Sequence, residues 1–257
     1  MLTETEFYDR LAESFDVMTD WQSRLAVEMP FLEATFARHD VHAILDCACG
    51  TGGHALALAE RGYRVSGSDI SAQMIARANA NAQRAGLAIP FAVARFQDLY
   101  ATFHAQFDAV LCLGNSFPHV LTDAAALESL LNMRVCLRSG GALVLHNLNY
   151  DKRWKEKPRW FAVNSGALDQ RETLVWRFAD YDDASGLIAF NIALFTKNEN
   201  GAWTVDVQST PQRPYRQTEI EMLLRRAGFR EIAFYGNLQG DPFDVEQSAD
   251  LVAVAVA

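Results

Sequence analysis

Ile44-Leu45-Asp46-Cys47-Ala48-Cys49-Gly50-Thr51-Gly52-Gly53, followed by an apolar run that closes on Asp69, reads as a strand, a glycine turn, a helix start and a second strand ending in a carboxylate. Glycines at 50 and 52 let the backbone bend tightly and approach a ligand that side chains would fend off. An acid about twenty residues beyond such a turn is placed to accept hydrogen bonds from two ribose hydroxyls. The pattern points to an adenosine-containing ligand.

Two such ligands compete. Gly50-x-Gly52-x-x-Ala55 satisfies the dinucleotide fingerprint, so NAD is a formal alternative. Against it stands Asp46, four residues before the first glycine, in the last turn of a buried strand. A carboxylate there repels a pyrophosphate and attracts a ligand that carries an ammonium and a sulfonium. S-adenosylmethionine (SAM) carries both, together with the ribose that Asp69 can hold.

Outward from this stretch the chain alternates strand and helix. Strands are expected near 43–47, 63–68, 90–95, 107–113 and 141–147, and helices near 53–61, 71–85 and 122–138, with a turn at Gly140-Gly141. Such alternation implies an α/β fold with a parallel sheet and right-handed crossovers. Upstream, Thr3-x-x-Glu6 is a capping box opening a helix through about Val17. Asp20 caps a second helix, which Pro30 either kinks or restarts before Phe31–Arg38. Downstream, the β-like runs Glu172–Asp180, Leu187–Thr196 and Trp203–Ser209 are separated by turn-rich segments and predict an antiparallel meander. A helix at Thr218–Ala227 and strands near 230–236 and 250–256 follow. The division is an N-terminal helical cap (1–40), a Rossmann-like core (41–150), an inserted β lid (151–215) and a C-terminal completion of the core sheet (216–257).

The bulk properties narrow the partners. With 23 Lys+Arg against 32 Asp+Glu, the net charge of −9 argues against nucleic acid. No apolar run is long enough to span a bilayer and no signal peptide is visible, so a cytoplasmic protein with no membrane partner is expected. Cys47-x-Cys49 is too tight for the usual zinc pair, and Cys112 and Cys136 lie in apolar contexts, so buried thiols and no metal are expected. Oligomeric state is left open by these features.

Three segments carry a family resemblance: Leu45–Gly52, Phe107-Asp108-Ala109-Val110-Leu111-Cys112-Leu113-Gly114-Asn115-Ser116-Phe117-x-His119, and His146–Asp151 with its Asn149-Tyr150-Asp151. On these the chain resembles class I SAM-dependent methyltransferases, and within them it is similar to the glycine and glycine/sarcosine N-methyltransferases. The resemblance implies a seven-stranded, mostly parallel sheet with an antiparallel last strand, and a meander that lids a small-molecule acceptor. It places Ala48 and the turn Gly50, Thr51 and Gly52 under the methionyl part of SAM and Asp69 on the ribose, with Ile70 and Met74 as further cofactor-binding positions. Arg95 and Phe96 border the adenine, and Leu113 lies near the sulfonium. Arg24 corresponds to the arginine that clamps the SAM carboxylate, a pairing suited to a guanidinium fork. Tyr8 or Trp21 closes the same pocket.

Asn115, where a strand's carboxyl end meets a loop, is the candidate that orients an amine acceptor, with His119 as a weak base or a loop hydrogen-bonder. Tyr150 and Tyr215 shape the acceptor pocket. The family's carboxylate-gripping arginine falls on Leu148 here, so Arg153 and Arg213 are the candidates to replace it. The activity implied is methyl transfer from SAM to the amine nitrogen of a glycine- or sarcosine-like metabolite. A small-molecule O- or C-methyltransferase, or a protein that binds SAM or its product S-adenosylhomocysteine (SAH) without transfer, would share the same donor residues.

Overall fold

The computed structural model describes residues 1–257. The chain opens with α1 (Glu4–Leu11), α2 (Phe15–Met18) and α3 (Trp21–Arg38). Thr3 and Glu6 form the reciprocal capping box, and Asp20 caps α3 through Ser23. The first helix is shorter than its sequence pattern suggests. Ser14 bonds back to the Leu11 carbonyl at 3.2 Å, and the chain breaks there before α2 begins. That break carries Phe15 against Gly50. Pro30, by contrast, sits inside one continuous α3.

The core then alternates β1 (Ala43–Asp46), α4 (Gly53–Glu60), β2 (Arg64–Asp69), α5 (Ala72–Ala85), β3 (Phe91–Val93), α6 (Leu99–Phe103), β4 (Phe107–Cys112), α7 (Asp123–Val135) and β5 (Leu137–Leu148). After α8 (Tyr150–Glu156), a second sheet of β6 (Asn164–Leu168), β7 (Arg171–Asp182), β8 (Leu187–Lys197) and β9 (Trp203–Gln212) pairs in that order, antiparallel throughout. The chain returns through α9 (Gln217–Arg226), β10 (Arg230–Tyr235) and β11 (Asp250–Val256) to complete a seven-stranded sheet of order β10-β11-β5-β4-β1-β2-β3. β11 is antiparallel to both neighbours and every other pairing in that sheet is parallel.

Side-chain alternation sorts the core. Leu45, Val110, Cys112, Leu143 and Leu145 face α7 and α9 in one apolar cluster. Ile44, Ala109, Leu111, Val144, Val252 and Val254 face α3 and α4 in another. With both faces covered, β11 reads as an unbroken apolar run, and each buried Leu or Val contributes roughly 1.5–3 kcal/mol. One boundary differs from the sequence reading. β5 begins at Leu137, and Gly140-Gly141 is an irregularity inside it rather than a turn before it, because the pairing shifts between Phe107↔Leu137 and Ala109↔Ala142. A Cβ on Gly141 would lie 2.9 Å from the Asp108 carbonyl, so the bulge needs glycine there.

The inserted sheet leans on the N-terminal helices. Phe7, Leu11 and Ala12 pack with Val175, Ile192 and Met74, and the Leu2 amide bonds to Ser209 of β9 at 2.9 Å. Neither β6 nor α8 was legible as an element in sequence. No helix is long and apolar enough to cross a membrane, and no group of three or more His, Cys, Asp or Glu is placed to hold a metal ion.

Candidate active site

Two contiguous chambers open at the carboxyl ends of β1, β4 and β5, where open α/β sheets bind ligands. One, of about 350 Å³, lies over β1, β2 and the Ala94–Gln97 segment. The other, of about 620 Å³, lies between α3, the β4–β5 ends and the inner face of the lid. Tyr8, Phe15, Ala48 and Ser116 line both and mark their junction.

The first chamber gathers Ala48, Gly50, Asp69, Ile70, Met74, Arg95 and Phe96. Gly50 has φ +54 and Gly52 φ +88, values open to glycine. The turn aims the Gly50 amide at Asp69, 2.9 Å from Oδ2, while Oδ1 accepts from Ser71 at 2.9 Å. Burial pushes the Asp69 carboxyl up to about 6 despite those amides, and pushes Glu4, on the same wall, up to about 7 with help from the Asp69 charge. Glu4 carried no sequence signal beyond its place in a helix start.

Two candidates from the glycine turn lie elsewhere. Thr51 is fully buried with its hydroxyl donating to Asp16 at 2.6 Å. Gly52 faces Leu56, Ala78 and Phe91, so its missing side chain serves helix–sheet packing rather than ligand approach.

Asp46 is the telling group. It shares the sheet face of Ile44, toward α3 and α4, is 1 % exposed, and neither carboxylate oxygen has a hydrogen-bond partner. Burial, then the Asp69 charge, pushes it up to about 7. A buried carboxylate without a partner is costly, and a cationic ligand group relieves it. The residues therefore fit SAM: Asp69, on the chamber wall, would take the ribose, and Asp46, sealed behind the walls of both chambers, would favour the positive end through its charge rather than by contact.

These acids make binding pH-dependent. Only ionised Asp69 accepts from two hydroxyls, so SAH affinity is expected to rise as pH increases from 5 to 7 and to level off above that. Its slope is at most about tenfold per pH unit for each proton released. Calorimetric titration across that range tests this; affinity that falls with rising pH contradicts it.

Arg24, Trp21 and Leu113 line the second chamber. Arg24 Nε pairs with Glu28 at 2.9 Å, and the other Glu28 oxygen takes the Nε2 proton of neutral, buried His54 at 2.5 Å. Burial pushes Glu28 up, but His54 and Arg24 outweigh it and hold the carboxyl at about 2. Burial likewise keeps His54 uncharged. The guanidinium is thus fixed beside Gly114, with its carbon 5.4 Å from the Trp21 ring centre.

Asn115 follows Gly114 in a left-handed turn, φ +64, a conformation asparagine tolerates better than most residues. Its Oδ1 accepts from the Leu148 amide at 2.9 Å and its Nδ2 donates to the Tyr150 hydroxyl at 2.9 Å. Tyr150 reaches on to Gln212 Oε1 at 3.3 Å, and the Gln212 amide nitrogen lies 3.2 Å from His119 Nε2. The Tyr8 hydroxyl sits 3.0 Å from that same nitrogen. One polar network therefore runs from the N-terminal helix through the lid to the end of β5.

His119 belongs to that network rather than to the acceptor chamber. Burial pulls its pKa down to about 4, and its accepting nitrogen is occupied by Tyr8 and Gln212. It is poorly suited to the weak-base role.

Two acceptor candidates are also misplaced. Tyr215 is fully buried, bonds to the Val120 carbonyl and packs on Phe117 within the core. Arg213 is tied to Asp123 at 2.6 Å and Glu219 at 3.0 Å, outside both chambers. Arg153 and Tyr150 do line the chamber, joined from the lid by Phe161, Arg177, Tyr181, Ile188, Phe190 and Gln212. The register Arg177↔Ile192, Ala179↔Phe190 and Tyr181↔Ile188 puts the lid members on one face. The strand period was readable in sequence, but which face turned inward was not.

A Rossmann-like sheet with a ribose-directed acid, an orphaned carboxylate at the first strand and a lidded second chamber defines a class I SAM-dependent methyltransferase. A methyltransferase-domain family model matches residues 44–141. The glycine/sarcosine N-methyltransferase of Halorhodospira halochloris is 33% identical over 245 residues, covering 94% of this chain and 85% of that one. The chain belongs to the glycine/sarcosine N-methyltransferase family. Among solved structures, a SAM-dependent methyltransferase from Clostridium acetobutylicum superposes with TM-score 0.77 at 16% identity, covering 97% of this chain and 98% of that one. A sugar N-methyltransferase from Streptoalloteichus does so with TM-score 0.72 at 21% identity, covering 100% and 94%.

Proposed function

We propose that this methyltransferase acts on the amine nitrogen of a small amino acid of the glycine or sarcosine kind. The observation that carries the reading is Asn115, held by the Leu148 amide and the Tyr150 hydroxyl on the wall of a chamber continuous with the donor site. In this reading residues 1–40 cap the donor, 41–150 with 216–257 hold it, and 151–215 close over the acceptor.

When bound, SAM supplies a methyl carbon made electrophilic by its sulfonium. The chain's part is positioning, worth up to roughly 7–11 kcal/mol when a nucleophile is held in line. Asn115 Oδ1 accepts from the Leu148 amide and lies 3.2 Å from the Tyr150 hydroxyl; with that hydroxyl's single proton turned to Gln212 Oε1, the second acceptor site of the amide oxygen serves an amine N–H and aims the nitrogen lone pair. The amine must arrive neutral. The chamber's acids are engaged elsewhere, Asp20 in capping α3 and Glu28 between Arg24 and His54, so none stabilises an ammonium, and burial favours the uncharged form. His119 acts as a positioning residue that keeps Tyr8 and Gln212 in place.

The test is mass spectrometry of products from SAM with glycine, sarcosine and matched hydroxy acids. N-methylated products from the amines are expected. Methyl esters or ethers as the sole products would contradict the reading.

A further inference from the structure

The second chamber holds two guanidinium groups that no acid of the chain serves. Arg177 of β7 and Arg153 of α8 both line it, and neither takes part in an ion pair. Both flank one ring: the Arg153 guanidinium carbon lies 4.8 Å from the Phe161 centroid and that of Arg177 lies 5.8 Å away. Arg177 spends one Nη2 contact on Asn164 Oδ1 at 3.1 Å, while its Nε is buried with no partner. The two acids on the chamber wall, Asp20 and Glu28, are already committed. Leu148, at the end of β5, packs against the Tyr150, Ala179 and Ile188 cluster and offers no charge.

We propose that Arg177, with Arg153, forms a carboxylate clamp on the lid, and that Arg177 makes the enzyme select carboxylate-bearing amines over neutral ones. The proposal rests on the N-methyltransferase reading above and assigns the residues that set its acceptor. A planar guanidinium with donors left unspent by Asn164 matches a carboxylate in a bidentate fork. A neutral acceptor, such as an amino sugar, would leave two cations desolvated and unpaired, so the same residues that attract an acid reject its uncharged analogue. Burial, and then the nearby Arg24 charge, already lower the Arg177 pKa, as expected of a cation awaiting a counter-ion. Arg24 itself is fixed beside Gly114 and Trp21, on the donor side, which leaves the lid pair for the acceptor.

The experiment uses the full chain and the variants R177Q, R177K and R153Q, with sarcosine and sarcosinamide as matched acceptors. Wild type is expected to favour sarcosine by about 100-fold in kcat/KM. R177Q should raise KM for sarcosine by about 30-fold or more while kcat changes less than about threefold, and should scarcely affect sarcosinamide. R177K should retain part of the preference, which a merely structural role would not produce. SAH affinity by calorimetry should stay within about twofold in every variant. A loss of SAH affinity in R177Q equal to the KM change would move Arg177 to the donor and overturn the proposal. So would unchanged selectivity in both R177Q and R177K, or methylation of sarcosinamide or glucosamine in preference to glycine, sarcosine and β-alanine. Where no amine is methylated, the clamp is read separately from binding of those three acids to the SAH complex; no binding overturns it. O-methylation of a carboxylate-bearing acceptor would end the amine reading and leave the clamp standing.

Discussion

Replacing Asn115 with Ala is expected to cut kcat by about 100-fold or more while SAH affinity stays within about threefold, because removing one preorganised polar group at a reacting centre typically costs that much. The side chain stands on the wall of the second chamber, beside the junction residue Ser116, and is locked by Leu148 and Tyr150, so its loss disorients the acceptor without touching the ribose or the carboxylate ends of the donor site. Alanine at φ +64 also carries about 1 kcal/mol of backbone strain, which shifts the melting temperature by about 2–4 °C. Asn115→Gly removes the strain and not the chemical deficit, so it should be as inactive as Asn115→Ala but melt closer to wild type. Single-turnover kinetics with SAH calorimetry separate these effects. Full turnover in either variant would remove Asn115 from the mechanism.

Asp69→Ala is expected to weaken SAH binding by at least about 100-fold. Two charge-assisted hydrogen bonds to ribose hydroxyls are lost, each worth roughly 1.5–3 kcal/mol. The glycine turn is also released, because Asp69 holds both the Gly50 and Ser71 amides. Asp69→Asn keeps the shape but replaces one accepting oxygen with a donor, so it should fall between wild type and Asp69→Ala. The pH dependence attributed to this carboxyl should flatten in both variants. SAH affinity within about threefold of wild type in Asp69→Ala would contradict the role given to the first chamber.

The donor half of the site was legible because backbone rules constrain it. A strand, two glycines and an acid at fixed spacing leave few conformations, and Gly50 and Asp69 lie together as that pattern implies, with Ala48, Met74 and Phe96 beside them where the family resemblance puts the donor. The same spacing misled at Thr51 and Gly52, since a residue inside a ligand-binding turn can face the packing side. The acceptor half was less readable. Its wall is assembled from α8 and the lid, where strand period says which residues share a face but not which face turns inward. Arg177 therefore passed unnoticed, while Tyr215 and Arg213, equally plausible by residue type, went to the core and to a surface ion-pair cluster. The Ser14 break in the first helix depends on one side chain capturing the Leu11 carbonyl, a local competition that helix propensity does not reveal.

The chain carries four free cysteines, all buried, at 47, 49, 112 and 136. Burial raises the thiols of Cys47, Cys49 and Cys136, so little reactive thiolate is present in the native state. Cys49 lines the second chamber, Cys112 and Cys136 lie within the core, and Cys47 belongs to both the first chamber's wall and that core cluster. The enzyme is thereby furnished with its own internal clocks. Alkylation at 49 is expected to time the breathing of the ligand crevice, and alkylation at 112 and 136 the opening of the core, with no foreign label introduced.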